Sequence, residues 1–189
     1  LMQICLATSL ATIMVTSVRS VLAHHRKGAV DWSILRGWDL YIGTGAMLGF
    51  LLASQLRSIT LQAIFGILGL IAGLYMAFGR AQWRLGAQMP VGGVRGALGG
   101  ALGFFSVLMG IGGGTFGVPM MTLFSVPIHR AVATAAGFGL LISVPSAVGF
   151  MMLDIAHAPP FTLGAVNLPA FGVIIAMTLI TTPYGVKLA

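Results

Sequence analysis

Six long apolar runs, separated by short polar connections, dominate the chain. They lie at about residues 2–22, 38–54, 59–78, 96–124, 131–153 and 168–186. Each run approaches the roughly 20 residues that a helix needs to cross a bilayer. An open sheet cannot satisfy its edges in lipid, and the chain has no alternating ten-residue strands typical of a barrel. The pattern therefore predicts an all-α fold, a polytopic transmembrane helix bundle.

The fourth run is interrupted by the segment GIGGGTFGVP, which an uninterrupted helix tolerates poorly. We expect a broken or re-entrant helix here, and two arrangements are open. If the run spans the membrane, Arg130 lies on the side opposite to His24. If it enters, turns and leaves by the same side, Arg130 joins His24 and Arg57 lies opposite, which agrees better with the positive-inside rule.

The composition agrees with a membrane location and excludes several classes of protein. Hydrophobic residues make up 58% of the chain and charged residues 7%, whereas a soluble domain carries about 25% charged residues. The ten Lys and Arg residues punctuate apolar runs and form no solvated basic face, so we expect the lipid bilayer and no nucleic acid as partner. The three acids argue against soluble helical bundles, calcium sites and two-carboxylate hydrolases.

A weak internal repeat relates the two halves of the chain. Residues 7–20 align without gaps with residues 133–146, and residues 49–53 align with residues 185–189. The first alignment matches Ala7, Thr8, Ser17 and Ser20 to Ala133, Thr134, Ser143 and Ser146. No connection is long enough to separate domains, so residues 1–189 are interpreted as a single membrane domain. Within it, residues 1–78 would be the remainder of a first repeat and residues 96–189 most of a second, and the counterpart of the fourth run would precede Leu1.

The run MGIGGGTFGVPMM carries the clearest chemical signal. Successive glycines can adopt positive φ and expose their amides, so we predict that the helix opens at Gly112, Gly113 and Gly114 and that a half-helix begins near Thr115. Pro119 suits the first turn or so of such a half-helix. Free amides and the positive end of the helix dipole would bind an anion without a buried formal charge. Close helix packing is the alternative, while a nucleotide loop is disfavoured because no strand precedes the run and no GK[ST] follows.

Other polar residues give weaker signals. The hydroxyls of Thr8, Ser9 and Thr134 could donate to substrate oxygens or bond back to their own helices. Arg130 is the formal charge nearest to the glycines, and it either binds the anion or anchors the topology. Adjacent imidazoles such as those of His24 and His25 point apart, and no Cys or Glu is near them, so we expect no metal and no cofactor.

Two segments of this chain resemble a known family. The segment GIGGGTFGVPMMTLFSVPIHRAVATAAGFGLLISVPSAVGF resembles the GxGGGxxxVPxL element, and the small-residue helix after it, of the TauE/SafE family of sulfite exporters. The segment ATSLATIMVTSVRSVLAHHRKGAVDW is similar to the end of that family's first repeat. The resemblance implies a multi-pass permease of the bacterial inner membrane for sulfite, organosulfonates or other small anions. The first repeat's own glycine motif is absent from this sequence, so half of the expected site has no assignment.

The sequence thus predicts a secondary membrane transporter of small anions such as sulfite, an organosulfonate or a related sulfur oxyanion. The candidate substrate-binding residues are Gly112, Gly113, Gly114, Thr115, Pro119, Arg130, Thr134, Thr8 and Ser9. No Ser paired with His and Asp and no HExxH motif lies in the apolar runs, so we do not expect an enzyme. A membrane-embedded enzyme and a non-transporting scaffold or assembly subunit are the alternatives, and a homo-oligomer is left open.

Overall fold

The computed structural model describes residues 1–78, 84–155 and 159–188, with side chains up to residue 181 except that of Met76. The helices in these ranges are α1 (Met2–Arg26), α2 (Trp32–Gln55), α3 (Ser58–Phe78), α4 (Gly92–Met109), α5 (Gly114–Leu123), α6 (Ile128–Met151) and α7 (Leu168–Leu188). A short antiparallel hairpin of β1 (Thr162–Leu163) and β2 (Val166–Asn167) precedes α7. The all-α bundle is therefore confirmed, and the two short strands are the one element that the apolar pattern did not predict.

Four of the described helices are long and apolar enough to cross a membrane. They are α1, residues 58–75 of α3, α4 and α6. All six predicted runs are helical, and the fourth is divided into α4 and α5 at the glycines. The division confirms the predicted break in this run.

The helices α1 and α6 run antiparallel to each other. Near the start of α1, the Thr8 hydroxyl accepts a hydrogen bond of 3.0 Å from the backbone N–H of Asn167, which follows α6. Near the start of α6, the Thr134 hydroxyl accepts one of 3.0 Å from the backbone N–H of Asp31, which follows α1. Each helix therefore begins where the other ends.

The helices α4 and α5 form a re-entrant hairpin. The N–H of Leu85, which lies before α4, donates to the carbonyl oxygen of Leu123 at the end of α5, at 2.8 Å. The chain from Leu85 to Gly92 spans at most about 25 Å even when extended. Placed in line, α4 and α5 would extend about 46 Å, so α5 must fold back. Accordingly, Leu102 of α4 lies 3.7 Å from the position that a β-carbon at Gly117 of α5 would occupy. Of the two arrangements that the sequence left open, the structure has the re-entrant one.

Charge is distributed unevenly between the two ends of the bundle. We call the end that holds Arg26 and Arg130 the basic end; there, Arg130 Nη1 lies 3.9 Å from the Asp31 carboxylate. Of the eight Lys and Arg side chains that the structure describes, Arg57 alone lies at the opposite end, between α2 and α3. The other seven, in the half nearer the basic end, are Arg19, Arg26, Lys27, Arg36, Arg84, Arg95 and Arg130. This asymmetry is what the positive-inside rule expects of a re-entrant hairpin.

The hairpin is held against α2 by glycines. A β-carbon at Gly49 of α2 would lie 2.7 Å from the carbonyl oxygen of Phe104 in α4. A β-carbon at Gly45 would overlap the carbonyl of Gly100, and one at Gly103 would overlap the carbonyl of Ile42. Small residues at intervals of four let two helix backbones approach this closely, which is a common basis of helix association in lipid.

Two matched contacts relate α1 and α2 to α6 and α7. Asp31, whose N–H binds Thr134, is the N-cap of α2, and Asn167, whose N–H binds Thr8, is the N-cap of α7. The side chain of each cap accepts a hydrogen bond from the N–H three residues later. In sequence, Asp31 and Asn167 are as far apart as the aligned segments 49–53 and 185–189. Because α1 and α6 are antiparallel, we propose that the two helix pairs are inverted repeats.

The re-entrant hairpin makes a prediction about labelling. After Cys5→Ser, single cysteines are introduced as His24→Cys, Arg130→Cys and Arg57→Cys, and intact cells are treated with an impermeant thiol reagent. Because Arg130 and His24 lie at the basic end, we expect these two variants to label alike and Arg57→Cys to label oppositely. If Arg130→Cys behaves like Arg57→Cys, the hairpin does not re-enter.

The contact between Thr134 and Asp31 makes a prediction about stability. Thr134→Val removes a buried acceptor and leaves the N–H of Asp31 without its partner, which costs about 1–3 kcal/mol. Thr12→Val is the matched control, because the one partner of the Thr12 hydroxyl among the described residues is the Thr8 carbonyl of its own helix. We expect a lower melting temperature for Thr134→Val than for Thr12→Val in purified protein. Equal losses would show that the hydroxyl does not stabilise the start of α2.

Candidate functional site

The chain reverses direction between α4 and α5 in a glycine turn, which we define as residues 110–114. Gly110, with φ of +62°, ends α4, and the N–H of Ile111 donates to the Ser106 carbonyl at 3.0 Å. Gly113, with φ of −61°, is the N-cap of α5. The sequence predicted that the helix opens at Gly112–Gly114 through glycines able to adopt positive φ. This is wrong in position, because α4 already ends at Met109 and Gly110 alone of this turn has positive φ. The half-helix begins at Gly114, so Pro119 lies in its second turn, later than predicted.

The glycine turn lies halfway along both long helices. Gly113 packs on the middle of α6, where a β-carbon would overlap Phe138 and lie 2.8 Å from the backbone nitrogen of Gly139. A β-carbon at Gly112 would lie 3.2 Å from Ile13, in the middle of α1. Because α1 and α6 are both long enough to cross a bilayer, the turn lies deep between its two surfaces.

At the glycine turn, carbonyl groups on the α4 side accept hydrogen bonds, whereas N–H groups on the α5 side donate none to the described residues. Carbonyls at the end of α4 have donors: Ser106 and Val107 accept from the amides of the turn, and Gly110 accepts from the Ser9 hydroxyl at 2.6 Å. The amides on the α5 side differ, since none of the N–H groups of residues 112–116 has an acceptor among the described residues. The positive end of the α5 dipole is thus left without a partner.

A cleft of about 360 Å³ lies between the glycine turn, α1 and α6. Its lining consists of Thr16, Ser17, Ser20, Gly112, Gly113, Gly114, Val118, Val132, Ala135, Ala136 and Gly139. None of these described residues carries a formal charge. The lining includes Ser20 of α1 and Val132 of α6, so the cleft extends from the turn toward the basic end.

Two serines of α1 face this cleft with unused hydroxyls. Thr16 donates to carbonyls of its own helix at 3.0 and 3.2 Å, as hydroxyls in helices commonly do. Neither Ser17 nor Ser20 has a hydrogen-bond partner among the described residues. The Ser17 side chain lies where α1 crosses α6, and a β-carbon at Gly139 would be 2.6 Å from its Oγ.

The structure brings three of the predicted site residues together on the cleft, namely Gly112, Gly113 and Gly114. Thr115 and Pro119 belong to α5 but are not part of the lining. Arg130 is 56% exposed and lies near Asp31, outside the lining. A contact between any of these residues and a substrate stays a prediction.

The predicted hydroxyls lie elsewhere. Thr134 is completely buried, and its oxygen accepts from the N–H of Asp31. Thr8 holds Asn167 in the same way, and Ser9 binds the Gly110 carbonyl and so holds the glycine turn from the α4 side. Thr8 and Ser9 also line a second groove, between α1 and α7. Their observed contacts are structural, and a role in substrate binding stays a prediction.

Sequence reasoning missed the α1 and α6 contributions to the cleft, above all Ser17 and Ser20. A signal for them was present, because both serines are matched positions in the repeat alignment. The same alignment also matches Thr8, so it could not tell which hydroxyls line the cleft. That distinction depends on where α6 packs against α1, which the sequence does not reveal.

Asp31 contacts several groups at the basic end. The Ser33 hydroxyl donates to its carboxylate at 2.6 Å and, with the amides of Ile34 and Ser33 and the nearby Arg130, lowers the pKa of Asp31, while burial opposes the shift. Because the folded pKa is lowered, the stabilisation is present at neutral pH and is lost as the pH falls through that folded value.

Comparisons with known proteins give one consistent result. A family model described as sulfite exporter TauE/SafE matches residues 1–189. A probable membrane transporter protein of Haemophilus influenzae is 28% identical over 189 residues, covering 98% of this chain and 71% of the relative. Another from Methanocaldococcus jannaschii is 23% identical over 191 residues, covering 98% and 70%. A third from Bacillus subtilis is 29% identical over 172 residues, covering 79% and 62%. No solved structure gives a significant match.

Neighbouring glycines of the turn should respond differently to one added methyl group. Gly113→Ala places a β-carbon on the backbone of α6, so we expect a clear fall in melting temperature. Gly114→Ala adds the same group where nothing lies within 4 Å, so its melting temperature should stay near that of the wild type. Thermal unfolding of the purified variants measures both. A stable Gly113→Ala protein would mean that α5 does not pack on α6 as described.

Proposed function

Because this chain belongs to the sulfite exporter TauE/SafE family, we propose that it is a secondary transporter of small anions, with sulfite, an organosulfonate or a related sulfur oxyanion as substrate. It is a multi-pass membrane protein, with four described helices long and apolar enough to span. The observation that carries the proposal is the row of N–H groups at residues 112–116, which have no acceptor among the described residues and lie beside a cleft halfway along α1 and α6.

These amides are suited to an anion for electrostatic reasons. A helix N-terminus behaves like about half a positive charge, and its free N–H groups point at whatever lies beyond it. Away from water an unpaired amide is costly, so an oxyanion that accepts several such hydrogen bonds is stabilised there. The fixed charge of a Lys or Arg is not needed, and the described lining of the cleft contains none.

The charge asymmetry supports an orientation. Seven of the eight described Lys and Arg side chains lie in the half of the bundle nearer the basic end, and basic residues are retained on the cytoplasmic side. We therefore assign the basic end to the cytoplasm of a cell whose inner membrane holds the protein. The cleft then extends from the glycine turn toward the cytoplasm.

The re-entrant hairpin supports transport by alternating access. Carriers commonly bind substrate near the midplane, between inverted repeats, at helices that are broken there. The glycine turn combines such a break with contacts on α1 and α6, and these two helices come one from each of the proposed repeats. A scaffold or assembly subunit would explain the helices but not the unpartnered amides. An enzyme is also disfavoured, since the chain belongs to a family of exporters.

Transport by purified protein tests this proposal. In proteoliposomes loaded with sulfite or methanesulfonate, Gly114→Leu should reduce counterflow at least about tenfold, because its side chain fills space beside the amides. Gly73→Leu on α3 is the matched control, since a β-carbon there also meets nothing within 4 Å and Gly73 is not part of the cleft lining. Counterflow that is unchanged in Gly114→Leu would locate the substrate path elsewhere, and wild-type protein that moves no anion would refute the function.

A further inference from the structure

We propose that Ser17 and Ser20 of α1 complete the anion site at the glycine turn, and that this site selects singly charged oxyanions, such as an alkanesulfonate, over doubly charged ones. The inference rests on the proposed function and deepens it. It names the residues that face the amides and the charge state of the substrate they accept.

The first argument is the state of the two hydroxyls. Every other described Ser or Thr hydroxyl on these two helices has a partner. Some bond to their own helix, namely Thr12, Thr16, Ser143 and Ser146. The others, Thr8, Ser9 and Thr134, bond to groups outside their own helix. Ser17 is only 8% exposed and has no partner among the described residues. Because Ser17 lines the cleft, its unpaired hydroxyl is available to a ligand, whereas polar groups of such buried residues usually have a partner within the protein.

The second argument is the position of these hydroxyls relative to the amides. Gly113 packs against Phe138 and Gly139 of α6, and Ser17 packs against the same Gly139 from α1. The unused hydroxyl and the start of α5 therefore meet at one point of α6. Ser20 lies nearly one helical turn further along α1, on the same cleft, toward the basic end. An oxyanion at this point accepts from the amides on one side and from α1 on the other.

The third argument is charge. The described lining holds neutral donors alone, which amounts to about half a positive charge from the α5 dipole. Arg130 lies outside the lining, and its positive charge is offset by the Asp31 carboxylate 3.9 Å away. One negative charge can be stabilised by such donors, but a second would be buried without compensation. The site therefore discriminates by charge state.

The fourth argument is the shape and polarity of the rest of the cleft. Apart from the donors, its lining is made of small apolar side chains, Val118, Val132, Ala135 and Ala136. A volume of about 360 Å³ lies within the range of small-molecule pockets and exceeds what a bare oxyanion needs. The apolar portion suits a short alkyl group, which an alkanesulfonate carries and sulfate lacks.

The test compares ligands and serine variants in the purified full-length protein. Methanesulfonate should raise the melting temperature and compete in counterflow, whereas sulfate at the same concentration should do neither. In Ser17→Ala the apparent affinity for methanesulfonate should fall about tenfold, as expected for one hydrogen bond to a charged group. Ser20→Ala should weaken it in the same direction. Ser143→Ala, the repeat-related control on α6, whose hydroxyl has its own-helix acceptor, should keep wild-type affinity.

A second readout separates a binding role from a structural one. Because the Ser17 hydroxyl has no partner among the described residues, Ser17→Ala should leave the melting temperature of the ligand-free protein unchanged and reduce only the increase caused by methanesulfonate. A lower ligand-free melting temperature with unchanged affinity would assign Ser17 to packing and overturn the inference.

Charge selection has its own measurement. Acidifying the outer buffer converts sulfite to singly charged hydrogensulfite, so sulfite uptake should rise with the singly charged fraction while methanesulfonate uptake stays flat. Equal competition by sulfate and methanesulfonate, or sulfite uptake that follows the doubly charged fraction, would overturn the inference but leave an anion carrier. Failure of every anion to bind or move in the wild type would overturn both.

Discussion

The direct contact of the α4 backbone with the α2 backbone is the constraint on which the site depends. Within lipid no hydrophobic force draws two apolar helices together, so association relies on close packing of small residues. Gly45, Gly49 and Gly103 allow carbonyl oxygens of one helix to lie where the other helix would otherwise carry β-carbons. This contact fixes how deep α4 enters, and the close fit of Gly113 on α6 fixes where α5 starts. These contacts hold the start of α5, and so its N–H groups, halfway along α1 and α6.

The sequence predicted those features that depend on the local pattern of apolar residues or on the number of basic residues in each connection. Apolar runs predicted the helices, and the Lys and Arg distribution favoured re-entry before any contact was known. The geometry of the turn was not predictable from the sequence, because every glycine tolerates positive φ and only Gly110 of the turn adopts it. The repeat alignment pointed to Thr8 and Thr134, but their partners are N-cap amides far away in sequence. Likewise, Ser17 became a candidate only when its place opposite Gly139 was known.

A neutral binding site has a clear advantage for a carrier. A substrate that is held too firmly is not released on the other side, so binding must be strong enough to admit the ion and weak enough to let it go. Amide dipoles and hydroxyls provide graded stabilisation, and each donor contributes a small part of it. A buried Arg would add a full charge and would itself need a partner whenever the site was empty. The described lining of the cleft contains hydroxyls and glycine amides and no charged side chain.

The hydrogen bonds of Thr8 and Thr134 also bear on how the protein is made. The N–H of Asp31 and the hydroxyl of Thr134 are 103 residues apart, and the Asn167 N–H and Thr8 are 159 apart. During synthesis α1 and α2 are complete long before α6 exists, so the N-cap of α2 first emerges without its acceptor. Thr8 in turn waits for the residues that lead into α7. Each helix pair therefore depends on the other for one of its N-cap contacts, and these contacts are complete only after residue 167 has left the ribosome.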